Sequence, residues 1–237
     1  NVAINNIQPE VVKKETAKNA IDQIALTRKA IIDQTPDATE EEKEAAKSKI
    51  DEEVIKAKHG IDQAKTNNDV DQVEQNSTTM INNIQPTVVK KSEARQAIDD
   101  LAKLKKATID LTQEATEEEK EAAKSKVDQA LTEAKTHINE AENDEGVDEA
   151  KTKGINVINT IQLEIIKKVE AKHEIDQSAI AKKKIIDQTP DATEEEKEVA
   201  KQKVDEEATK AKDNIDQATT NDAVDLSLIH ISEPTRR

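Results

Sequence analysis

The residues best placed to do chemistry are three glutamates in a row. Ala38-Thr39-Glu40-Glu41-Glu42-Lys43-Glu44 recurs unchanged at Ala115–Glu121 and at Ala192–Glu198. A carboxylate cluster can serve acid–base or metal chemistry, but paired catalytic carboxylates need a concave pocket and two contrasting environments, which nothing in the sequence supplies. A helix start accounts for the motif instead. With Thr39 as N-cap and Glu42 at N3 the stretch spells a capping box, and an acidic first turn complements the positive end of the helix dipole. The four histidines, His59, His137, His173 and His230, fall at unrelated points and form no metal-ligand spacing. Asn67-Asn68-Asp69-Val70-Asp71 resembles a calcium loop but lacks its glycine and closing glutamate, so a turn between helices is expected there. No glycine-rich phosphate loop and no Ser/His/Asp set can be assembled. The expectation is a chain with no catalytic, cofactor-binding or metal-binding residues, and not an enzyme.

Composition narrows the classes further. The chain has no Phe, Trp, Tyr or Cys, three glycines, and 37% charged residues. A core made from Ala, Ile, Val and Leu closes only between slender elements, and abundant Ala, Glu, Lys and Gln favour helix. A net charge of −15, with acidic and basic residues interleaved, argues against nucleic acid. No run of about 18 apolar residues exists to enter a membrane. Without cysteine there is no disulfide or thiol chemistry. The chain opens at Asn1 with neither Met nor a signal-like segment, and reads as a piece of something longer.

The elements that carry the Thr-Glu-Glu-Glu stretch repeat on a fixed ruler. Thr39, Thr116 and Thr193 are 77 residues apart, so residues 1–77, 78–154 and 155–225 form three copies of one unit. Residues 226–237 match neither earlier copy, end in Arg236-Arg237, and read as translated sequencing-adapter sequence rather than a natural terminus. In copy one, Ala46, Ile50, Val54, Ala57, Ile61 and Ala64 step by three and four, the seam of a helix of about 26 residues, roughly 39 Å long. A second stripe runs through Ile81, Ile84, Val88, Ala94, Ala97 or Ile98, Leu101 and Ile109. It is crossed by Pro86 (Pro9 in copy one) but by Leu163 in copy three, and this favours one kinked helix of about 40 residues over a break. Breaks are expected at Gln34–Thr39 and after Ala64. Glu52–Lys56 and Glu206–Lys210 have the i,i+4 spacing of ion pairs. The expected architecture is all-α: tandem, spectrin-like three-helix bundles joined into an elongated rod, with a third bundle left incomplete and frayed.

Three segments carry a family resemblance: Ile32–Lys43 with its copy Ile186–Lys197, Lys56–Ala64 with Lys210–Ala218, and Ile4–Pro9. Together they resemble tandem repeats of otherwise undefined function from staphylococcal cell-wall-anchored surface proteins. Relatives of that family include giant matrix-binding adhesins and proteins linked to biofilm, cell aggregation and methicillin resistance. The resemblance covers residues 1–225. Copy two departs from it with Gln113-Glu114 in place of Pro-Asp. What it implies is an extracellular stalk, attached to peptidoglycan through segments outside this sequence, that holds a distal domain away from the wall. The alternative is a weak multivalent adhesion module that binds host matrix or itself, or promotes cell–cell aggregation and biofilm. Interface hot spots favour Trp, Tyr and Arg, and before the tail this chain offers only Arg28 and Arg95.

Overall fold

A computed structural model describes residues 12–232, and among them there are nine helices and no strand. In chain order they are α1 (Lys13–Asp33), α2 (Glu40–Gln63), α3 (Asn67–Asn83), α4 (Lys90–Asp110), α5 (Glu117–Glu140), α6 (Asp144–Thr160), α7 (Lys167–Asp187), α8 (Glu194–Gln217) and α9 (Asn221–Ser232). Lengths of 21, 24 and 17 residues recur, except that α9 has 12. The chain divides into two compact units, one formed by Asn1–Ala97 with Ala134–Thr152, the other by Ile98–Glu133 with Lys153–Arg237.

In the first unit α1, α2 and α3 pack on one another as a three-helix bundle. Its core is built from small and β-branched side chains alone: Ala17, Ile21, Ala25 and Ile32 from α1, Ala46, Ile50, Ala57 and Ile61 from α2, Val70 and Ile81 from α3. The seam read from the sequence is this core, with Val54 and Ala64 at its margin. Each fully buried isoleucine contributes about 1.5–3 kcal/mol, and alanine lets the axes approach closely at the cost of buried area. In the second unit α7, α8 and α9 pack together around Ala171, Ile175, Ala211, Ile215, Ala218 and Val224.

Lysines stitch the first two helices of each copy in the same way. Lys47 pairs with Asp33 and Glu44, Lys124 with Asp110 and Glu121, Lys201 with Asp187 and Glu198. Such pairs at the surface contribute little energy each, and their regular placement fixes how the helices are paired. The intrahelical partners differ from those the spacing suggested. Lys56 and Lys210 reach back three residues, to Glu53 and Glu207, rather than four to Glu52 and Glu206.

Two expectations are corrected. The kinked continuous helix does not form: residues 84–89 and 161–166 lie outside any helix and separate α3 from α4 and α6 from α7. Proline is not the cause, because the second break contains Leu163 instead. Tertiary hydrogen bonds hold the chain where the helices end, with Arg28 Nε and Nη2 donating to Ile84 O at 2.8 and 2.6 Å and Lys105 Nζ to Asn159 O, in the last turn of α6, at 3.2 Å. Pro9 lies outside the described residues. The second correction concerns copy three, which does have its third helix. Leu226–Ile229 continue α9, where Val224 is buried and Leu228 packs on the core. The helix is short, however, and leaves the far half of α7 and α8 uncovered: Ile186 and Val204 are half-buried where Ile32 and Ile50 are buried.

Candidate functional site: an inter-repeat clamp

The thrice-repeated stretch starts α2, α5 and α8, and each start is the capping box expected of it. Thr39 N donates to Glu42 Oε2 at 3.0 Å and Glu42 N to Thr39 Oγ1 at 3.3 Å. Thr116 with Glu119, and Thr193 with Glu196, repeat the arrangement. Gln113-Glu114 in copy two leaves the box intact but not the turn before it. Asp37 and Asp191 sit at φ 63° and 66°, a left-handed conformation that Asp tolerates and Glu accepts less readily.

The capping box uses only half of Glu42. Its other oxygen, Oε1, accepts from the backbone N–H of Val89 at 2.8 Å and of Lys90 at 2.9 Å, the first turn of the next repeat's first helix. Glu41 Oε2 accepts from Asp144 N at 2.9 Å, at the start of that repeat's third helix. The N–H of Glu40 donates to Glu142 O at 2.9 Å. The starts of α4 and α6 therefore meet the start of α2 on the carboxylates of Glu42 and Glu41, with Glu40 adding only its backbone N–H. N-terminal N–H groups lack partners within their own helix and carry the positive end of its dipole, so carboxylates are the ligands they favour.

The second unit repeats the arrangement 77 residues on. Glu119 Oε1 accepts from Ile166 N and Lys167 N, each at 2.8 Å, Glu118 Oε2 from Asn221 N at 3.0 Å, and Glu117 N donates to Thr219 O at 2.8 Å. Here Thr116 Oγ1 also donates to Asn221 Oδ1 at 2.7 Å. Burial works to raise the Glu42 carboxyl pKa, but the N–H groups of Lys90, Val89 and Thr39 and the Thr39 hydroxyl outweigh it and hold the group below its ordinary value. Glu119 is lowered in the same way, by Lys167, Ile166 and Thr116 against burial.

Basic side chains close the clamp from the other side. Lys91 Nζ, on a residue 6% exposed, donates to Asn139 O at 2.8 Å and so covers the end of α5, the negative pole of that helix. Arg95 bridges Asn139 Oδ1 at 2.6 Å and Asp37 Oδ2 at 3.3 Å, tying the repeat-one turn to repeat two. Lys168, 4% exposed, donates to Asp216 O and also to Gln113 O in the preceding copy's turn. Asp144, whose Oδ1 has no hydrogen-bond partner within the protein, lines a cavity of about 200 Å³ with Glu41, Glu42, Lys49 and Thr87, roomy enough for water to complete it.

The other sequence candidates stay apart. His59, His137 and His173 are exposed on α2, α5 and α7, and the His59 ring meets Gln63, four residues on. His230 lies outside the residues whose side chains are described. Among the described residues no three His, Cys, Asp or Glu side chains are grouped to hold a metal ion. Asn67–Asp71 forms the first turn of α3, capped by Thr66 and Asp69 and anchored by buried Val70. The clamp itself was missed by spacing arguments. Its signal was a surplus: a capping box needs Thr39 and Glu42 alone, yet Glu40 and Glu41 are also identical in every copy.

Three consecutive stretches, 13–89, 90–166 and 167–227, match the family model described as Domain of Unknown Function (DUF1542). Similar proteins include "Extracellular matrix-binding protein EbhA" of Staphylococcus aureus strain Mu3, 30% identical over 195 residues, 82% of this chain and 3% of the relative. "Extracellular matrix-binding protein ebh" of strain JH9 is 30% identical over 82% of the chain and 2% of its own length. The EbhA of strain Newman is 29% identical over 70% of the chain and 5% of its length. The chain thus spans a few per cent of the curated relatives it matches. No solved structure matches it.

Proposed function

Because this chain belongs to the family described as Domain of Unknown Function (DUF1542), we propose that it is a non-enzymatic structural spacer of a bacterial cell-surface protein. In this reading tandem bundles form an elongated extracellular stalk, anchored to peptidoglycan through other segments, that carries a distal domain away from the wall. The observation that carries it is the clamp. Each connection between repeats is a short non-helical segment that ends on two N–H groups captured by a carboxylate of the preceding repeat, at 2.8–2.9 Å in the first unit and 2.8 Å in the second. A flexible tether needs no such capture, whereas a stiff one requires it at every joint.

The runner-up is an adhesive role, favoured by the names of the relatives, which are matrix-binding proteins. Surface plasmon resonance of the chain over immobilised host matrix proteins separates the two. The spacer reading expects no saturable response at physiological salt, and saturable binding that survives raised salt would sink it.

A further inference from the structure

Four ion pairs cross from α1 to α2 of the first bundle like the rungs of a ladder. Lys18 meets Asp62 at 2.5 Å and Lys58 meets Asp22 at 2.7 Å. Further along, Lys29 meets Asp51 at 2.5 Å, and Lys47 meets Asp33. Both helices spell the same pattern, 29 residues apart: a lysine, an aspartate four on, an aliphatic residue four further, then a lysine after three and an aspartate after four. The aliphatic residues are Leu26 and Ile55, midway along the ladder and 61% and 69% exposed. One exposed leucine is ordinary, but these two hold matching positions on an otherwise ionic face.

The ladder recurs in the other copies, and its apolar centre does not. In copy three Lys172–Asp216, Lys212–Asp176, Lys183–Asp205 and Lys201–Asp187 are the rungs, and Ile180 stands with Thr209 at the centre. Copy two has Arg95–Asn139, Lys106–Asp128 and Lys124–Asp110, with Lys103 and Thr132 at the centre. The central positions are exposed in every copy, including copy two with a repeat on either side of it, so the exposure belongs to the unit.

Along each helix lysine and aspartate alternate, and across each rung they are opposite. A second copy turned over about an axis parallel to the helices therefore lays its α2 along this α1 with every lysine facing an aspartate. No like charges meet, and Leu26 faces the partner's Ile55. A lysine has donors, and a carboxylate acceptors, to spare after one bond, so each ion can hold its own rung and its counterpart together. Two copies of net charge −15 repel one another, and a ladder on which four lysines offset four aspartates is where they can approach.

We propose that two copies of the chain associate side by side through the α1–α2 face of the first bundle, as a two-fold pair with the ladders interlocked around Leu26 and Ile55. The same patch serves both partners, so the contact closes at the dimer. The ladder is about 22 Å long at 1.5 Å per residue and two helices wide, a contact of about 400 Å² per copy, which is the scale of weak, transient association. The pairing goes beyond the spacer reading and does not depend on it.

Sedimentation equilibrium of the full chain, from low micromolar to about 1 mM, tests it. The weight-average mass is expected to rise from the 26.2 kDa monomer toward the dimer and no further. Leu26→Glu with Ile55→Glu changes only exposed positions and is expected to weaken dimerisation about tenfold or more, whereas Ile180→Glu is expected to leave it unchanged. The double variant Lys29→Asp, Asp51→Lys reverses one rung while keeping its ion pair. It is expected to dimerise with itself as the parent does, and to pair with dye-labelled parent about tenfold or more weakly, because that mixture sets like charges face to face. A mass that stays at the monomer throughout or passes the dimer, a Leu26→Glu, Ile55→Glu variant that associates like the parent, an equal loss in Ile180→Glu, or a reversed rung that pairs equally well with itself and with the parent would each overturn the proposal.

Discussion

Replacing Glu42 by Gln isolates what the carboxylate does between repeats. The side chain keeps its length and one acceptor oxygen but loses its charge, and its amide NH2 must face N–H donors on one side. If the amide oxygen stays toward Val89 and Lys90, the Thr39 N–H loses its acceptor, and half a capping box costs about 1 kcal/mol. The two remaining bonds, at 2.8 and 2.9 Å, become neutral, and charge assistance roughly doubles such bonds, so about another 1–2 kcal/mol is lost. The opposite flip exposes two donors instead of one and costs more. The total of about 2–3 kcal/mol corresponds to a 30- to 150-fold rise, in round numbers about two decades, in the local opening constant. Amide hydrogen exchange at Val89 and Lys90 reads this directly. Glu196→Gln is the internal control at low protein concentration. It touches only its own cap, so about 1 kcal/mol, roughly a fivefold change near Thr193, is expected. Equal effects of the two substitutions, or unchanged exchange at Val89 and Lys90 in Glu42→Gln, would refute the assignment of Glu42 to the joint.

Three further outcomes follow from the same geometry. Glu42 and Glu119 have folded pKa values below the ordinary 4.5, so the unfolded chain takes up protons first as the medium is acidified. Their stabilisation is complete above about pH 5 and is lost as pH falls through the lowered values, which urea midpoints measured at falling pH will follow. Ile50→Ala empties a position 0% exposed and is expected to cost about 2–5 kcal/mol by chemical denaturation. Val204→Ala, at the same register in the half-open third bundle, is expected to cost less than half as much. Glu42→Gln and Glu119→Gln act on separate joints, and their losses are expected to add within about 0.5 kcal/mol; marked non-additivity would show that the joints do not act independently.

Much of the local structure was legible because local residues cause it. The α2 seam is set by Ala46, Ile50, Ala57 and Ile61 at helical spacing, and its start by Thr39 and Glu42, three residues apart. The connection at 84–89 was misread because nothing local decides it. Ile161-Gln-Leu-Glu-Ile-Ile166 has no helix breaker, yet it is not helical: Glu119, 47 residues away, claims the N–H of Ile166, and Lys105, 54 residues away, holds Asn159 O in the last turn of α6 just before it. Nor does a period fix a phase. The 77-residue ruler is the same wherever counting begins, and only the packed helices reveal that residues 13–83 share one core. The repeated Glu41 was explained by the helix dipole alone, because the partners of Glu41 and Glu118, Asp144 and Asn221, lie 103 residues along the chain.

Every unit brings the acceptors for the joint after it and the donors for the joint before it. An unequal crossover that duplicates or removes a whole number of 77-residue lengths therefore leaves no mismatched junction behind. The number of units can change in fixed increments with no compensating substitution, because Glu41 and Glu42 of each copy already fit the helix starts of the next.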